Sequence, residues 1–348
     1  MSFSEENANH EHAMPKLTLK HPTNKTNIDF SIYRKQQLGD GVYSTVYKGR
    51  NLQTKETVAI KCMDLAKLDS CNSYTCVKEF RIMTKLSGGD NLTQIQAKLN
   101  TGKFAYIAMT YAENGNLHEW LVDGKCSSLE MGMKLSIMHG IANGLAYMHD
   151  RNILHCDIKP ANIVFDGMLN PLICDFGFSK DMAIDNLWDL RGTFYYKAPE
   201  HLWGLIDAKH PDRKAYAKPS DVYSYVLVMW DILTGNYCPY TWMTKHEVAV
   251  WVCEQGKREY IPIDTDQDLA DLITQGWSHD PASRQTMGDI LGALDSMPMH
   301  AVTAAALSKT TTTTTSISQS KQTFFHNLAH AETTVRGQFI AARRPAGP

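Results

Sequence analysis

The sequence predicts an α+β chain in which a small sheet carrying one helix precedes a mainly helical part. Three observations carry this. Residues Phe30 to Ile107 are dominated by short β-branched and aromatic runs broken by Gly and Asn, such as "STVYKGR", "TVAIKCM" and "FAYIAMT". One helical stretch, "YTCVKEFRIMTKL", interrupts them. From Asn116 to Met297 longer helical patterns take over: Met131, Leu135, Met138, Ala142, Leu145 and Met148 recur every three or four residues.

The first 28 residues are polar, rich in Asn, His and Glu, and read as a flexible leader. Residues 29–297 form the folded region, divided at 29–110 and 111–297. Residues 298–348 contain a threonine run and five Lys/Arg against one Glu, so this low-complexity basic tail carries +4 while the remainder carries −6. It reads as a solvated tail. The whole chain of 348 residues has 43% hydrophobic and 21% charged residues and a formal charge of −2, the balance of an ordinary globular protein. No nucleic-acid partner is expected from that balance, and oligomeric state is not set by it. Eight scattered cysteines without a CxxC pair read as reduced thiols in the cytoplasm or nucleus. The opening lacks the apolar run of a signal peptide, Ser2 excludes myristoylation, and "VLVMW" at 226–230 is too short to span a membrane.

Chemistry is concentrated in a few places. "LGDGVYSTVYKG" sets Gly39 and Gly41 between strand-like runs, where backbone N–H groups can approach phosphates unobstructed. Twenty residues after Gly41, "VAIK" ends in Lys61, a lysine inside an apolar run that needs an anionic partner. Eighteen residues further on, Glu79 lies on the helical stretch, clear of the face made by Phe80, Met83 and Leu86. "HCDIKPAN" places Asp157, Lys159 and Asn162 in one short loop, and Asp175 of "CDFGFSK" follows eighteen residues beyond Asp157.

Together with "YYKAPE" (Tyr195–Glu200), Asp221 of "SDVYSY" and Arg284 of "GWSHDPASRQT", this ordered set resembles the eukaryotic protein-kinase family over residues 30–297. The resemblance implies a two-lobed fold, an N-lobe of antiparallel sheet with one helix and a helical C-lobe, with ATP and Mg²⁺ as cofactors and protein Ser/Thr hydroxyls as substrates. It implies that Leu38, Gly39 and Gly41 cover the phosphates, Lys61 holds them with Glu79 orienting it, and Asp175 and Asn162 ligate Mg²⁺. Asp157 would accept the substrate proton and Lys159 would neutralise charge on the transferring phosphoryl group. Met109 would guard the adenine pocket, Thr110 and Ala112 would meet adenine through their backbones, and Asn116 would lie near the ribose. Val46, Ala59 and Val164 would sandwich the base.

Lysine two residues after Asp157, and Thr193 in "GTFYY", resemble serine/threonine kinases, and the "GW…DP…R" pattern is similar to their tyrosine-kinase-like group. Cys156 departs from the family, which usually carries an arginine there to bind an activation-segment phosphate. The expectation is activity without activation-segment phosphorylation, because Ser179, Thr193, Tyr195 and Tyr196 are the only hydroxyl residues from Asp175 to Glu200. Ser44, Val226 and Gln285 depart in smaller ways. Cys174 reads as an inert buried thiol, the alternative being a thiol that faces the nucleotide site and can be alkylated there, and Glu200 is expected to pair with Arg284. The alternative is a pseudokinase, a nucleotide-binding interaction scaffold, although such proteins commonly lose the equivalents of Lys61, Asp157 or Asp175.

Overall fold

The computed structural model describes residues 16–40, 44–67, 70–189, 191–207 and 209–297. Gly41, most of the expected leader and the tail from 298 lie outside them. Six antiparallel strands come first: β1 (Lys16–Lys20), β2 (Asn27–Asp40), β3 (Ser44–Asn51), β4 (Thr57–Asp64), β5 (Ile95–Asn100) and β6 (Phe104–Thr110). Their order is β1-β2-β3-β4-β6-β5, with the helix α1 (Ser70–Lys85) inserted between β4 and β5.

β1 corrects the expectation of a flexible leader over residues 1–28, because residues 16–20 form a paired strand, while residues 1–15 lie outside the described residues. "KLTLK" alternates polar and apolar residues, so Leu17 and Leu19 turn to one side while the lysines face solvent. Leu19 is fully buried, and the strand pairs with β2 from Lys16↔Ser31 to Lys20↔Asn27.

The same two-residue period splits β4 between two cores. Val58 and Ile60 join Leu19, Phe30, Ile32, Tyr106 and Ala108 on one face. Ala59 and Met63 turn to the other, where they meet Ile82, Met83 and Leu86 beside α1. Lys61 lies between Ala59 and Met63 on the strand and therefore points to the α1 side.

The remainder is mainly helical: α2 (Leu117–Val122), α3 (Met131–Asp150), α4 (Pro199–Ile206), α5 (Lys218–Thr234), α6 (Lys245–Ala249), α7 (Gln267–Gly276) and α8 (Met287–Ser296). α5 is buried from Val222 to Leu233 except at Ser224, and ends at Gly235, whose φ of 72° is the left-handed cap glycine adopts readily. Two small antiparallel pairs interrupt the helices. β7 (Ile153–Leu154) pairs with β10 (Lys180–Asp181), and β8 (Ile163–Phe165) with β9 (Pro171–Ile173). They present the loops 155–162 and 174–179 beside each other.

Glu200 at the start of α4 and Arg284 before α8 form the expected pair, two parallel bonds of 2.8 Å. Arg284 also donates to the carbonyls of Pro219, Ser278 and His279, so one guanidinium ties the starts of α4 and α5 to the turn before it. Burial pushes the Glu200 carboxyl up, but the Arg284 charge outweighs it and holds the group below its ordinary range. Removing one partner strands the other charge, a loss of roughly 3–5 kcal/mol for buried pairs. Arg284→Ala is expected to lower unfolding free energy by about that amount in urea titration; an unchanged midpoint would contradict the brace.

Candidate active site

The loop after β7 hangs on one carboxylate. Asp221, buried in the first turn of α5, accepts from the backbone N–H of His155 (2.8 Å) and of Cys156 (2.9 Å), and its Oδ2 lies 3.0 Å from His149 Nε2. Burial raises the Asp221 carboxyl, while the His149 contact and those N–H donors pull it below the ordinary range. This anchor holds Cys156 at a φ of 66°, a left-handed conformation that non-glycine residues seldom adopt. The Cys156 side chain is buried against Leu154 and Tyr216, and burial pushes its thiol well above the usual range. It packs as a small apolar group.

Beyond it, the chemistry-bearing residues converge. Asp157 Oδ1 accepts from the Thr193 N–H at 2.6 Å, and its Oδ2 accepts from Asn162 Nδ2 at 3.1 Å. Lys159 Nζ sits 2.9 Å from Asp157 Oδ2 and donates to Thr193 Oγ1 at 2.7 Å. Asn162 also donates to the Asp157 carbonyl at 2.8 Å, fixing the loop's shape across five residues.

Lys61 meets two carboxylates. Its Nζ donates to Glu79 Oε1 and Oε2 at 2.7 and 3.0 Å, and to Asp175 Oδ1 at 2.8 Å. Burial alone would neutralise the ammonium, but Asp175 and Glu79 hold its pKa well above the ordinary value. Glu79 is pushed up by burial despite Lys61, whereas the Lys61 charge pulls Asp175 down to about 2. At Glu79 burial is the stronger influence, whereas at Asp175 the Lys61 charge outweighs it. Asp175 has a φ of 61°, a second left-handed residue, and the following Phe176 is buried with its ring edge-on to His155 at 5.7 Å.

The residues expected around a base fall on adjoining elements. Gly39 pairs with Val46 across β2 and β3, Val46 with Lys61 across β3 and β4, and Ala59 with Met109 across β4 and β6. Leu38 is exposed on β2, Met109 is buried, and Thr110 and Ala112 are partly buried at the end of β6 and just after it. Val164 on β8 bridges to Asn116. Asn116 has a task that went unread: its Oδ1 accepts from the Glu119 N–H at 2.9 Å and caps α2. The pattern N-x-x-E before an apolar run is the signal that reveals it. Cys174 is partly buried, and burial with the neighbouring Asp175 charge pushes its thiol to about 12, so it is protonated at neutral pH. Asp221 was marked by "SDVYSY", but its anchoring of the loop and the edge-on contact of His155 with Phe176 had no local signal.

A groove of about 850 Å³ lined by Trp230, Tyr240, Trp242 and Tyr260 shares no residue with this cluster. Among the described residues no helix is long and apolar enough to cross a membrane.

Residues 32–293, more than half of the chain, match the protein kinase domain. The serine/threonine-protein kinase STY46 of Arabidopsis thaliana is 30% identical over 262 residues, covering 75% of this chain and 43% of that protein. The dual specificity protein kinase shkC of Dictyostelium discoideum is 30% identical over 279 residues, 78% of this chain and 51% of that protein. A putative serine/threonine-protein kinase/receptor, R826, of Acanthamoeba polyphaga mimivirus is 30% identical over 259 residues, 74% of this chain and 15% of that protein. This chain thus spans about half or less of the length of these relatives. With the match covering both the sheet that carries Lys61 and the loop that carries Asp157, the chain belongs to the protein kinase domain family.

Proposed function

We propose that this chain transfers the γ-phosphoryl group of Mg·ATP to serine and threonine hydroxyls of proteins. The observation that carries the proposal is the meeting of Lys61, Glu79 and Asp175 beside the Asp157, Lys159, Asn162 and Thr193 network. We read residues 16–110 as the nucleotide lobe and 111–297 as the substrate lobe.

The residues fit Mg²⁺. Asn162 spends its amide nitrogen on Asp157, which leaves its carbonyl oxygen for a cation, and Asp175 stays ionised down to about pH 2. Mg²⁺ is usually held by one or two carboxylates together with phosphates. When bound, the ion neutralises charge on the phosphates. Lys61 holds the α- and β-phosphates and Glu79 aims it. Leu38 and Gly39 cover the phosphates, Val46, Ala59 and Val164 flank adenine, and Thr110 and Ala112 offer backbone groups to its edge behind Met109. Asp157, held by the Thr193 N–H and Asn162, accepts the proton of the attacking hydroxyl. Lys159, at 2.9 Å from it, stabilises charge on the phosphoryl group in flight.

Serine/threonine preference is supported by the Lys159–Thr193 bond and by the names of the Arabidopsis and mimivirus relatives, while the Dictyostelium relative is named a dual specificity kinase. Independence from segment phosphorylation is supported by what three of the segment's four hydroxyl residues do; the fourth, Tyr195, is partly buried and packs edge-on against Phe194. Ser179 is fully buried against the His155 carbonyl, Thr193 is engaged by Lys159, and Tyr196 is buried with its hydroxyl on Asp231 at 2.8 Å. The intact cluster weighs against a scaffold without catalysis.

Asp157→Asn keeps the acceptor for Thr193 and removes the base. Labelled-phosphate transfer to a generic protein substrate should fall by roughly 10²–10⁴-fold with nucleotide binding retained. Wild-type product should be phosphoserine or phosphothreonine, and phosphatase treatment of the enzyme should leave its rate unchanged. A wild type that binds ATP and transfers nothing would sink the proposal.

A further inference from the structure

α1 carries Lys78, Arg81 and Lys85, spaced by three and then four residues, which sets them on one helical face. The segment after the second cluster residue, Asp175, carries Asp181, Asp185 and Asp189 at intervals of four. The two rows meet. Arg81 Nη2 reaches Asp185 Oδ2 at 2.8 Å, and Lys85 Nζ reaches Asp181 Oδ2 at 2.9 Å. Farther along, Lys180 Nζ lies 3.5 Å from Asp189 Oδ2, which also pairs with Arg191 at 2.6 Å.

The acids are built into the segment and do not merely touch it. Asp185 Oδ2 accepts from the Asp181 N–H at 2.8 Å, and Asp181 Oδ1 from the Ala183 N–H at 3.1 Å. Their side chains are 6% and 7% exposed, so the charge of each needs its cation. Asp181 lies in β10, paired with β7 immediately before the loop of Asp157, and the Met182 N–H donates to the Asn152 carbonyl at 2.9 Å. One short stretch therefore grips α1 on one side and the strand leading into the Asp157 loop on the other.

We infer that Asp181 and Asp185 are positioning residues that clamp α1 to this segment and thereby hold Glu79 on Lys61 without an added phosphate. The inference rests on the reading of Lys61 and Glu79 as the nucleotide-binding pair. The two carboxylates occupy the task for which a phosphate and an arginine at position 156 are otherwise expected, and Cys156 offers no charge for it. Lys78 is buried near Lys180 and Arg191, with burial first and the Lys180 charge next lowering its pKa, so this face of α1 gains from carboxylates opposite it.

The test uses the full chain and the variants Asp181→Asn, Asp185→Asn, the double variant, and Asp185→Glu. Asparagine keeps the size and the oxygen acceptor and removes the charge. Amide hydrogen exchange is read at residues 78–86 and 176–189 and, as internal reference, in α5; initial rates are read alongside. The double variant should exchange about tenfold faster in the two clamped stretches, with α5 unchanged. Its kcat should fall by about tenfold with little change in the KM for protein substrate, and Asp185→Glu should recover more activity than Asp185→Asn. Arg81→Gln removes the partly exposed cation and gives a second route to the same result if the double variant does not fold. Unchanged exchange at 78–86, or acceleration spread equally into α5, overturns the clamp. Exchange does not depend on turnover, so a wild type that transfers no phosphate counts against the kinase reading alone.

Discussion

The site depends on keeping Lys61 charged where the fold has taken it out of water. A lone ammonium on the α1 side of β4 would be several kcal/mol unfavourable, and the usual escape is loss of its proton. Here two carboxylates from two other parts of the chain prevent that escape. The dependence is mutual, because burial pushes Glu79 towards its neutral form and only Lys61 opposes it strongly. Strand, helix and the segment after β9 must therefore arrive together, and the sheet half is joined to the helical half at this buried charge cluster.

A second constraint carries the other half of the site. Asp221 satisfies the backbone N–H groups of His155 and Cys156, which the left-handed turn at Cys156 leaves without a regular partner. Asp175 is likewise held in a left-handed conformation by Lys61 on its side chain and by the buried Phe176 after it. Both positions store strain, and both lie in the cluster of charged residues, as expected where surrounding structure over-determines a local shape. Cys156 is compatible with this arrangement because its backbone is the functional part and its side chain only has to fill a buried apolar space.

Most of the cluster was legible because its members are chemically odd for their surroundings. Lys61 in "VAIK" is a charge in a strand, and Asp157, Lys159 and Asn162 crowd a short loop; in each case the residue type alone demands a partner. The alternation in "KLTLK" was also readable but was hidden by polar neighbours, and Asn116 as a cap was readable from Glu119 three residues on. Asp221, Asp181 and Asp185 were not readable in the same way. Their partners lie 66, 96 and 104 residues away, and an aspartate on a helix or loop looks like any solvated acid until the fold brings the cation or N–H to it.

The most direct measurement is the thermal shift on adding nucleotide, with and without Mg²⁺, to wild type, Lys61→Met and Asp175→Asn. Saturating ligand stabilises by RT ln(1 + [L]/Kd), about 2.7 kcal/mol at a hundredfold excess over Kd. If Lys61 and Asp175 are held together for phosphate and metal, wild type should gain most from Mg·ATP, Asp175→Asn should lose the Mg²⁺-dependent part, and Lys61→Met should lose most of the nucleotide effect. Equal stabilisation of all three proteins, or stabilisation indifferent to Mg²⁺, would contradict the account.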